Sequence, residues 1–263
     1  MDLHSYWKKQ TREKPLYPDI EWNKPEQRTL AGKLAIIGGN KLGFAGVGEA
    51  YQIAKTAGVG ELRVLLPDVL KKTIPLTITD ALFAPTNPSG GLSSDALNDM
   101  KAISDWANGV AFIGDAGRNS ETAILYEHFV QDYQGQLTIT RDAFDLLKNT
   151  LPIIVERPDT LLVLSFAQLQ KMFQSVYYPK MITFSMQLAQ AVEAIHKFTI
   201  SYHATIVTFH QGHLIIAHNG DIVTMAWENP MAIWKGSVAM QAAVYWLWTP
   251  GKPLQAIAAS ALQ

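Results

Sequence analysis

The chain has 263 residues, a formal net charge of −1, 48% hydrophobic residues and no cysteine. This length and composition suit a protein with a large core, and the basic residues are too scattered for a nucleic-acid-binding surface. Without cysteine there is no disulfide, thiolate nucleophile or cysteine-ligated metal, which is compatible with the cytoplasm. No stretch reaches the roughly 20 apolar residues of a membrane span, and no secretion signal is recognisable. We therefore expect a soluble, cytoplasmic protein with neither a nucleic-acid nor a membrane partner.

Residues 1–30 differ in composition from residues 31–263. Trp7, Tyr17 and Trp22 alternate there with basic residues and prolines. The prolines disfavour a continuous helix, and disorder poorly explains the bulky aromatic residues. We predict an arm that packs along its own chain or against a neighbouring copy, as in a homo-oligomer. Residues 31–263 are expected to form one α/β domain.

From Gly32 onward, short apolar runs alternate with stretches of helical spacing. The predicted strands are 33–37, 61–66, 110–113, 136–140, 151–155, 161–164, 205–209, 213–217 and 221–225. The predicted helices are 47–57, 120–130, 142–148, 167–173, 185–198, 238–248 and 254–262. This alternation predicts a mostly parallel sheet covered by helices on both faces. Asn219-Gly220, between the last two strands, predicts an antiparallel hairpin at the C-terminal edge.

Two glycine-containing turns follow predicted strands. Gly38-Gly39-Asn40 ends the first strand, and Gly114-Asp115-Ala116-Gly117 ends the third. Ligands of open α/β sheets bind outside the carboxyl ends of the strands, so both turns are candidate ligand contacts. A tight turn alone would also explain Gly38 and Gly39.

A third segment, Lys235-Gly236-Ser237, precedes a long apolar helix. The unpaired N–H groups at the start of a helix and the positive end of its dipole can hold a phosphate, to which Lys235 would add a cation. Alternatively, Ser237 is the N-cap of a core helix and has no ligand.

The order of these motifs resembles a known family. Gly38-Gly39-Asn40 with Phe44-Ala45-Gly46, then Gly114–Gly117, Asp142-Ala143-Phe144 and the Asn-Gly hairpin followed by Lys235–Ser237 are similar to the ADP/ATP-dependent NAD(P)H-hydrate dehydratases. These proteins belong to the ribokinase-like superfamily and are related to carbohydrate kinases. The resemblance extends over nearly all of residues 32–263. It implies a three-layer α/β/α fold, ATP or ADP with Mg²⁺ as the nucleotide, and NAD(P)H hydrate as the substrate of a lyase.

The resemblance also implies a set of site residues. Those on the substrate side are Gly38, Gly39, Asn40, Phe44 and Asp142, and those on the nucleotide side are Gly114, Asp115, Gly117, Lys235, Gly236 and Ser237. No residue is assigned to a protein-bound metal. His210, His213 and His218 span a strand end and its loop, which is not a convincing metal-binding spacing.

The sequence departs from the family at chemically important positions. Ser237 stands where the Gly-Thr-Gly-Asp motif has its catalytic Asp, Thr140 replaces the first Asp of Asp-Ala-Asp-Ala-Leu, Ser165–Gln168 replaces His-Pro-Gly-Glu, and Phe209 replaces a lysine. A serine without a nearby base cannot accept a proton as a carboxylate can, and losing a positioned base typically lowers a rate by about 10²–10⁴-fold. Asp115 would also repel a nucleotide phosphate unless a cation lies between them.

The catalytic residue therefore stays unassigned, with Asp142 and Asp115 as candidates. Each also has a structural explanation, since Asp142 could cap a helix and Asp115 could pair with Arg118. Two functions remain open: a divergent enzyme that binds a nucleotide or related metabolite, and an inactive scaffold or regulatory protein that acts through oligomerisation or a protein partner. The first predicts an open polar crevice, and the second predicts one plugged by Trp234 and Phe209.

Overall fold

A computed structural model describes residues 5–263, so the first four residues of the predicted arm lie outside the described part. The strands are β1 (Trp7–Lys9), β2 (Lys33–Gly38), β3 (Glu61–Pro67), β4 (Ala81–Ala84), β5 (Gly109–Gly114), β6 (Gln136–Thr140), β7 (Thr160–Leu164), β8 (Thr205–His210), β9 (His213–His218) and β10 (Asp221–Ala226). The helices are α1 (Ala45–Ala57), α2 (Leu97–Trp106), α3 (Ser120–Asp132), α4 (Asp142–Leu146), α5 (Leu151–Glu156), α6 (Phe166–Ser175), α7 (Leu188–Ser201), α8 (Met231–Lys235), α9 (Ser237–Trp248) and α10 (Pro253–Ser260).

The ten strands within residues 5–263 form one sheet in the order β1-β10-β9-β8-β7-β6-β5-β2-β3-β4. Only β9 is antiparallel to its neighbours, so the predicted mostly parallel sheet is confirmed. Asn219 and Gly220 have φ angles of 48° and 83°, the left-handed conformations that a two-residue hairpin requires. The predicted hairpin is therefore also confirmed.

Helices cover both faces of the sheet because its strands are apolar on both sides. In β2, Ile37 packs into the core beneath α2–α7, whereas the adjacent Ile36 packs into the core beneath α1, α9 and α10. Alternate residues of one buried strand thus serve opposite helical layers. The architecture is the predicted three-layer α/β/α sandwich.

The prediction of a strand at 151–155 is wrong, because Leu151–Glu156 is helix α5. Leu151, Ile154 and Val155 are buried while Pro152 and Ile153 are exposed, which is the spacing of one helical face. A proline at the start of a helix loses no internal hydrogen bond. Strand β4 and helix α2 were not predicted at all.

The described part of the N-terminal arm packs against its own chain. Strand β1 extends the sheet by pairing with β10. The buried Gln10 donates from Nε2 to the carbonyl oxygen of Ala258 at 2.8 Å, and the Tyr245 hydroxyl donates to Glu21 at 2.9 Å. The arm therefore forms an edge of the sheet and covers α9 and α10. Among residues 5–263, no helix has both the length and the apolar character needed to cross a membrane.

Candidate functional site

The two predicted glycine turns lie in contact at the carboxyl ends of β2 and β5. The N–H of Gly39 donates to the carbonyl oxygen of Gly114 at 2.9 Å. A Cβ atom at Gly38 would lie only 2.4 Å from that same oxygen, so a side chain there would force the strands apart. Gly38 therefore has a clear packing role, and the N–H of Gly39 is already used within the protein.

Asp115 forms an ion pair with Arg141, not with Arg118, the partner considered from the sequence. Its Oδ1 lies 2.7 Å from Nη2 of Arg141, and both side chains are about one-fifth exposed, at 20% and 21%. Its Oδ2 accepts the N–H of Gly46, in the first turn of α1, at 2.6 Å. Arg141 follows β6, the neighbour of β5, and the carboxyl ends of neighbouring parallel strands lie at the same edge of the sheet. That adjacency brings the pair together, while Arg118 is exposed.

Arg141 is held in an unusual backbone conformation, with φ 56° and ψ −143°. Such a conformation costs on the order of 1–3 kcal/mol in a residue other than glycine. The side-chain amide of Gln168 donates to the carbonyl oxygen of Arg141 at 2.8 Å. Gln168 is itself fixed by a reciprocal capping box with Ser165 at the start of α6. The start of α6, at Ser165 and Gln168, thus positions Arg141.

Gly46 provides the space that the Arg141 guanidinium occupies. A Cβ atom at Gly46 would lie 1.4 Å from Nη1 of Arg141 and 2.8 Å from Oδ2 of Asp115. Any larger residue would have to displace the guanidinium. Sequence reasoning missed Arg141 as a site residue, and only the glycine at the start of an otherwise good helix could have pointed to such a close approach.

Asp142 is the first residue of α4, but its side chain makes no capping bond there. Instead, its Oδ1 accepts the N–H of Asp115 at 3.0 Å. A Cβ atom at Gly114, whose φ is 94°, would lie 2.0 Å from that oxygen. Burial and the charge of Asp142 raise the pKa of the nearby Tyr126 well above its usual range. The carboxylate therefore joins two strand ends and borders a neutral, buried tyrosine.

The prediction that Ser237 caps α9 is wrong. Gly236, with φ 85°, ends α8 and is itself the N-cap of α9, so Ser237 is already the first helical residue. Its hydroxyl donates to the carbonyl oxygen of Ala232 at 2.9 Å. A Cβ atom at Gly236 would lie 3.5 Å from Cδ of Arg141, so this junction adjoins the Arg141 side chain. Lys235 is exposed at the end of α8.

A polar cavity of about 290 Å³ opens where these segments meet, and we call it the strand-end crevice. Its lining residues are Arg118, Arg141, Asp142, Asp145, Val163, Ser165, Gln168, Ile233 and Trp234. Trp234 is 58% exposed and forms a wall of the crevice. Phe209 packs instead against the core beneath α9. In this structure neither aromatic residue plugs the crevice.

A second cavity of about 620 Å³ adjoins the first and shares Arg118, Asp142 and Asp145 with it. Gly117 lines this second cavity. Asn40 is buried beside Gly117, and its Oδ1 accepts the N–H of Leu42 at 2.7 Å. Phe44 immediately precedes α1 and is half-buried. Among the predicted substrate-side residues, only Asp142 therefore lines the crevice.

The histidines considered as metal ligands are engaged elsewhere. The His210 ring stacks on Phe166 with centroids 4.1 Å apart, and Nδ1 of His218 lies 2.9 Å from the Thr205 hydroxyl. Within residues 5–263, no cluster of three or more histidine or acidic side chains is arranged to hold a metal ion.

Comparison with solved structures defines the fold of this protein. A ribokinase-like superfamily protein from Enterococcus faecalis superposes with a TM-score of 0.72 at 14% identity, covering 98% of this chain and 86% of that one. The ADP/ATP-dependent NAD(P)H-hydrate dehydratase of Bacillus subtilis, co-crystallised with ATP and Mg²⁺ and soaked with CoA, superposes with a TM-score of 0.60 at 12% identity, covering 95% and 84%. No protein-family model matches the sequence, and a search of curated proteins finds no match.

These superpositions show a three-layer α/β/α protein with the ribokinase-like fold. The resemblance drawn from the order of the motifs is thus confirmed at the level of the fold.

Proposed function

We propose that the strand-end crevice binds a nucleotide or a related phosphorylated metabolite. The observation that carries this proposal is its lining: Arg118 supplies an exposed guanidinium, and Trp234 supplies an exposed aromatic wall. Guanidinium groups suit phosphates, and a nucleotide base stacks readily on an aromatic ring. The first turn of α9, which begins at Ser237, adjoins the Arg141 side chain, but no α9 residue lines the crevice.

The charges near the crevice favour a magnesium complex of the nucleotide over the free nucleotide. Three cationic side chains, Arg118, Arg141 and Lys171, are matched there by Asp115, Asp142 and Asp145. Lys171 already pairs with Asp145 at 3.1 Å, and Arg141 pairs with Asp115. Carboxylates suit Mg²⁺, which usually also binds phosphates and water. Asp142 and Asp145 therefore fit a Mg²⁺ ion that arrives with its nucleotide, and the ion would offset their repulsion of the phosphates.

Asp142 is the better candidate for acid–base chemistry, whether the reaction is the dehydration of NAD(P)H hydrate or a kinase-like transfer. Both carboxylate oxygens of Asp115 are used, one by Arg141 and one by Gly46. Asp142 accepts a backbone N–H through Oδ1 only and lines the crevice. A free carboxylate oxygen beside bound ligand can accept a proton, which the Ser237 hydroxyl cannot do unaided.

The alternative is a catalytically inactive scaffold or regulatory protein that acts through oligomerisation or a protein partner. The hydroxyl of Ser237 favours this alternative, because it donates to the carbonyl oxygen of Ala232 within the protein. Such a protein would have kept the ribokinase-like fold and lost the chemistry. Deleting the arm, residues 1–28, would test the oligomeric form of this idea, and an unchanged mass in solution would count against it.

The proposal is tested by thermal unfolding of the purified protein with ATP, ADP, AMP, NAD, NADH or NADP, each with and without Mg²⁺. A ligand present at about 100 times its Kd stabilises the native state by roughly 2.7 kcal/mol. We expect a raised midpoint with ATP or ADP that is larger when Mg²⁺ is present. No shift with any nucleotide at millimolar concentration would reject nucleotide binding and favour the scaffold.

A further inference from the structure

Asp115 occupies two donors beside the strand-end crevice, one on Arg141, which lines the crevice, and one at the start of α1. Its Oδ1 accepts from Nη2 of Arg141 at 2.7 Å, and its Oδ2 accepts from the N–H of Gly46 at 2.6 Å. An external phosphate or carboxylate would need the same donors and would meet the charge of Asp115 at close range. We propose that Asp115 is a specificity-determining residue that acts as an internal counter-ion of Arg141 and excludes external anionic groups from the Arg141 guanidinium and the Gly46 N–H.

This inference deepens the proposed function and rests on it in one respect. If a nucleotide binds, its phosphates lie towards Arg118, and the part of the ligand facing the Asp115–Arg141 pair is uncharged. A hydroxyl, an amide or a neutral ring can lie beside an ion pair without breaking it. A second phosphate or a carboxylate at that end would have to displace Asp115.

Residues around Asp115 and Arg141 hold this ion pair in place, which distinguishes it from an incidental pair on the surface. Gly46 leaves room for the guanidinium, since a Cβ atom there would lie 1.4 Å from Nη1 of Arg141. Gln168 holds the Arg141 backbone, and the N–H of Asp115 is held by Asp142. Both members of the pair have positive φ angles, 54° for Asp115 and 56° for Arg141. Four segments of the chain therefore converge on one carboxylate and one guanidinium.

The proposal predicts that removing Asp115 creates an anion site. Asp115→Gly is the most direct change, because glycine adopts a φ of 54° without strain. The Arg141 guanidinium and the Gly46 N–H are then left without their counter-ion. We expect Asp115→Gly to bind inorganic phosphate at least about tenfold more tightly than the wild type, given the strength of charge interactions at such distances.

The experiment is a calorimetric titration of each purified full-length protein with inorganic phosphate at low ionic strength. Asp115→Gly combined with Arg141→Gln should lose the gain, because the cation is then absent. Asp132→Asn is the matched control: Asp132 is also ion-paired, to Lys101 at 2.8 Å, but on the exposed surface of α3. It should bind phosphate as the wild type does. If Asp115→Gly does not fold, as judged by circular dichroism, Asp115→Asn removes the same charge while keeping an acceptor for Gly46.

The proposal is overturned if the folded Asp115 variant binds phosphate no more tightly than the wild type, or if the gain survives Arg141→Gln. Failure of this proposal can be distinguished from failure of the proposed function, because phosphate binding is measured without a nucleotide. If the variant gains phosphate binding but the wild type binds no nucleotide, the role of Asp115 stands and nucleotide binding is rejected. The opposite pair of results would reject the role of Asp115 alone.

Discussion

The side-chain amide of Gln168 donates to the main-chain carbonyl of Arg141 at 2.8 Å, which ties the first turn of α6 to the residue that follows β6. Gln168 also accepts the N–H of Ser165 at 3.1 Å and so closes the capping box of α6. One side chain therefore caps a helix and stabilises the strained backbone on which the Asp115–Arg141 pair depends.

Replacing Gln168 should weaken both interactions. Gln168→Ala is expected to lower the free energy of unfolding by about 1–2 kcal/mol, since it removes part of a capping box and leaves a carbonyl without its donor. Gln174→Ala, an exposed position on the same helix, should change it by less than about 0.5 kcal/mol. Urea denaturation measures both, and equal effects of the two variants would argue against the positioning role of Gln168.

Two glycines at the start of α1 should respond differently to alanine. A Cβ atom at Gly48 meets nothing closer than Ile78 at 3.9 Å, so Gly48→Ala should stabilise the protein by roughly 0.5–1 kcal/mol through helix propensity. Gly46→Ala would gain the same propensity but must expel the Arg141 guanidinium from its place beside Asp115. We expect no net stabilisation from Gly46→Ala. Equal stabilisation by both substitutions in urea denaturation would contradict the close packing at Gly46.

The arm contributes to stability through Ile20, which is only 3% exposed, whereas the nearby Trp22 is 87% exposed. Ile20→Ala should destabilise the protein by about 2–4 kcal/mol, because it leaves a cavity in the core beneath α9 and α10. Trp22→Ala should have an effect within about 0.5 kcal/mol. Thermal unfolding of the two variants checks this prediction, and a small effect of Ile20→Ala would mean that the arm is not packed as described.

The free energy of unfolding should fall in mild acid because of His218, at the end of β9. Burial lowers the pKa of His218 below its usual value near 6.5. Below about pH 6.5 the unfolded chain therefore binds a proton that the folded chain resists, so the free energy of unfolding decreases as the pH falls. His218→Gln should flatten this dependence between pH 7 and pH 5. His213→Gln, at the other end of β9, is the control, and an unchanged slope in His218→Gln would refute the assignment.

Local patterns were enough to predict most of the fold. The Asn219-Gly220 turn and the short apolar runs of the strands are each encoded by a few neighbouring residues. The structure has a hairpin at that turn, as predicted. The strand predicted at 151–155 is wrong because a short apolar run fits a strand and a buried helix equally well. Pro152, which suits the first turn of a helix, is the local signal that favours the helix. Strand β1 could not be predicted, since only the distant β10 makes those three residues a strand.

The candidate site was less predictable, because its key contacts join residues that are distant in the sequence. Asp115 and Asp142 could be named from the glycine turns and from the family resemblance. The choice between Arg118 and Arg141 as the partner of Asp115 depends on which loops meet at the strand ends and on the φ of Arg141, and no local pattern reports either. Ser237 could be singled out through the family resemblance, but no local pattern predicts that its hydroxyl donates to Ala232.

The central claim, that the strand-end crevice binds a nucleotide beside Trp234, is tested most directly by measuring ADP and ATP affinity, with Mg²⁺, in Trp234→Ala and Trp22→Ala. Both tryptophans are largely exposed, but only Trp234 lines the crevice. Loss of a base-stacking surface typically costs about 1–3 kcal/mol, so Trp234→Ala should weaken binding by about fivefold or more while Trp22→Ala binds as the wild type does. Equal affinities in all three proteins would contradict the account, and tighter binding by Trp234→Ala would show that Trp234 obstructs the crevice.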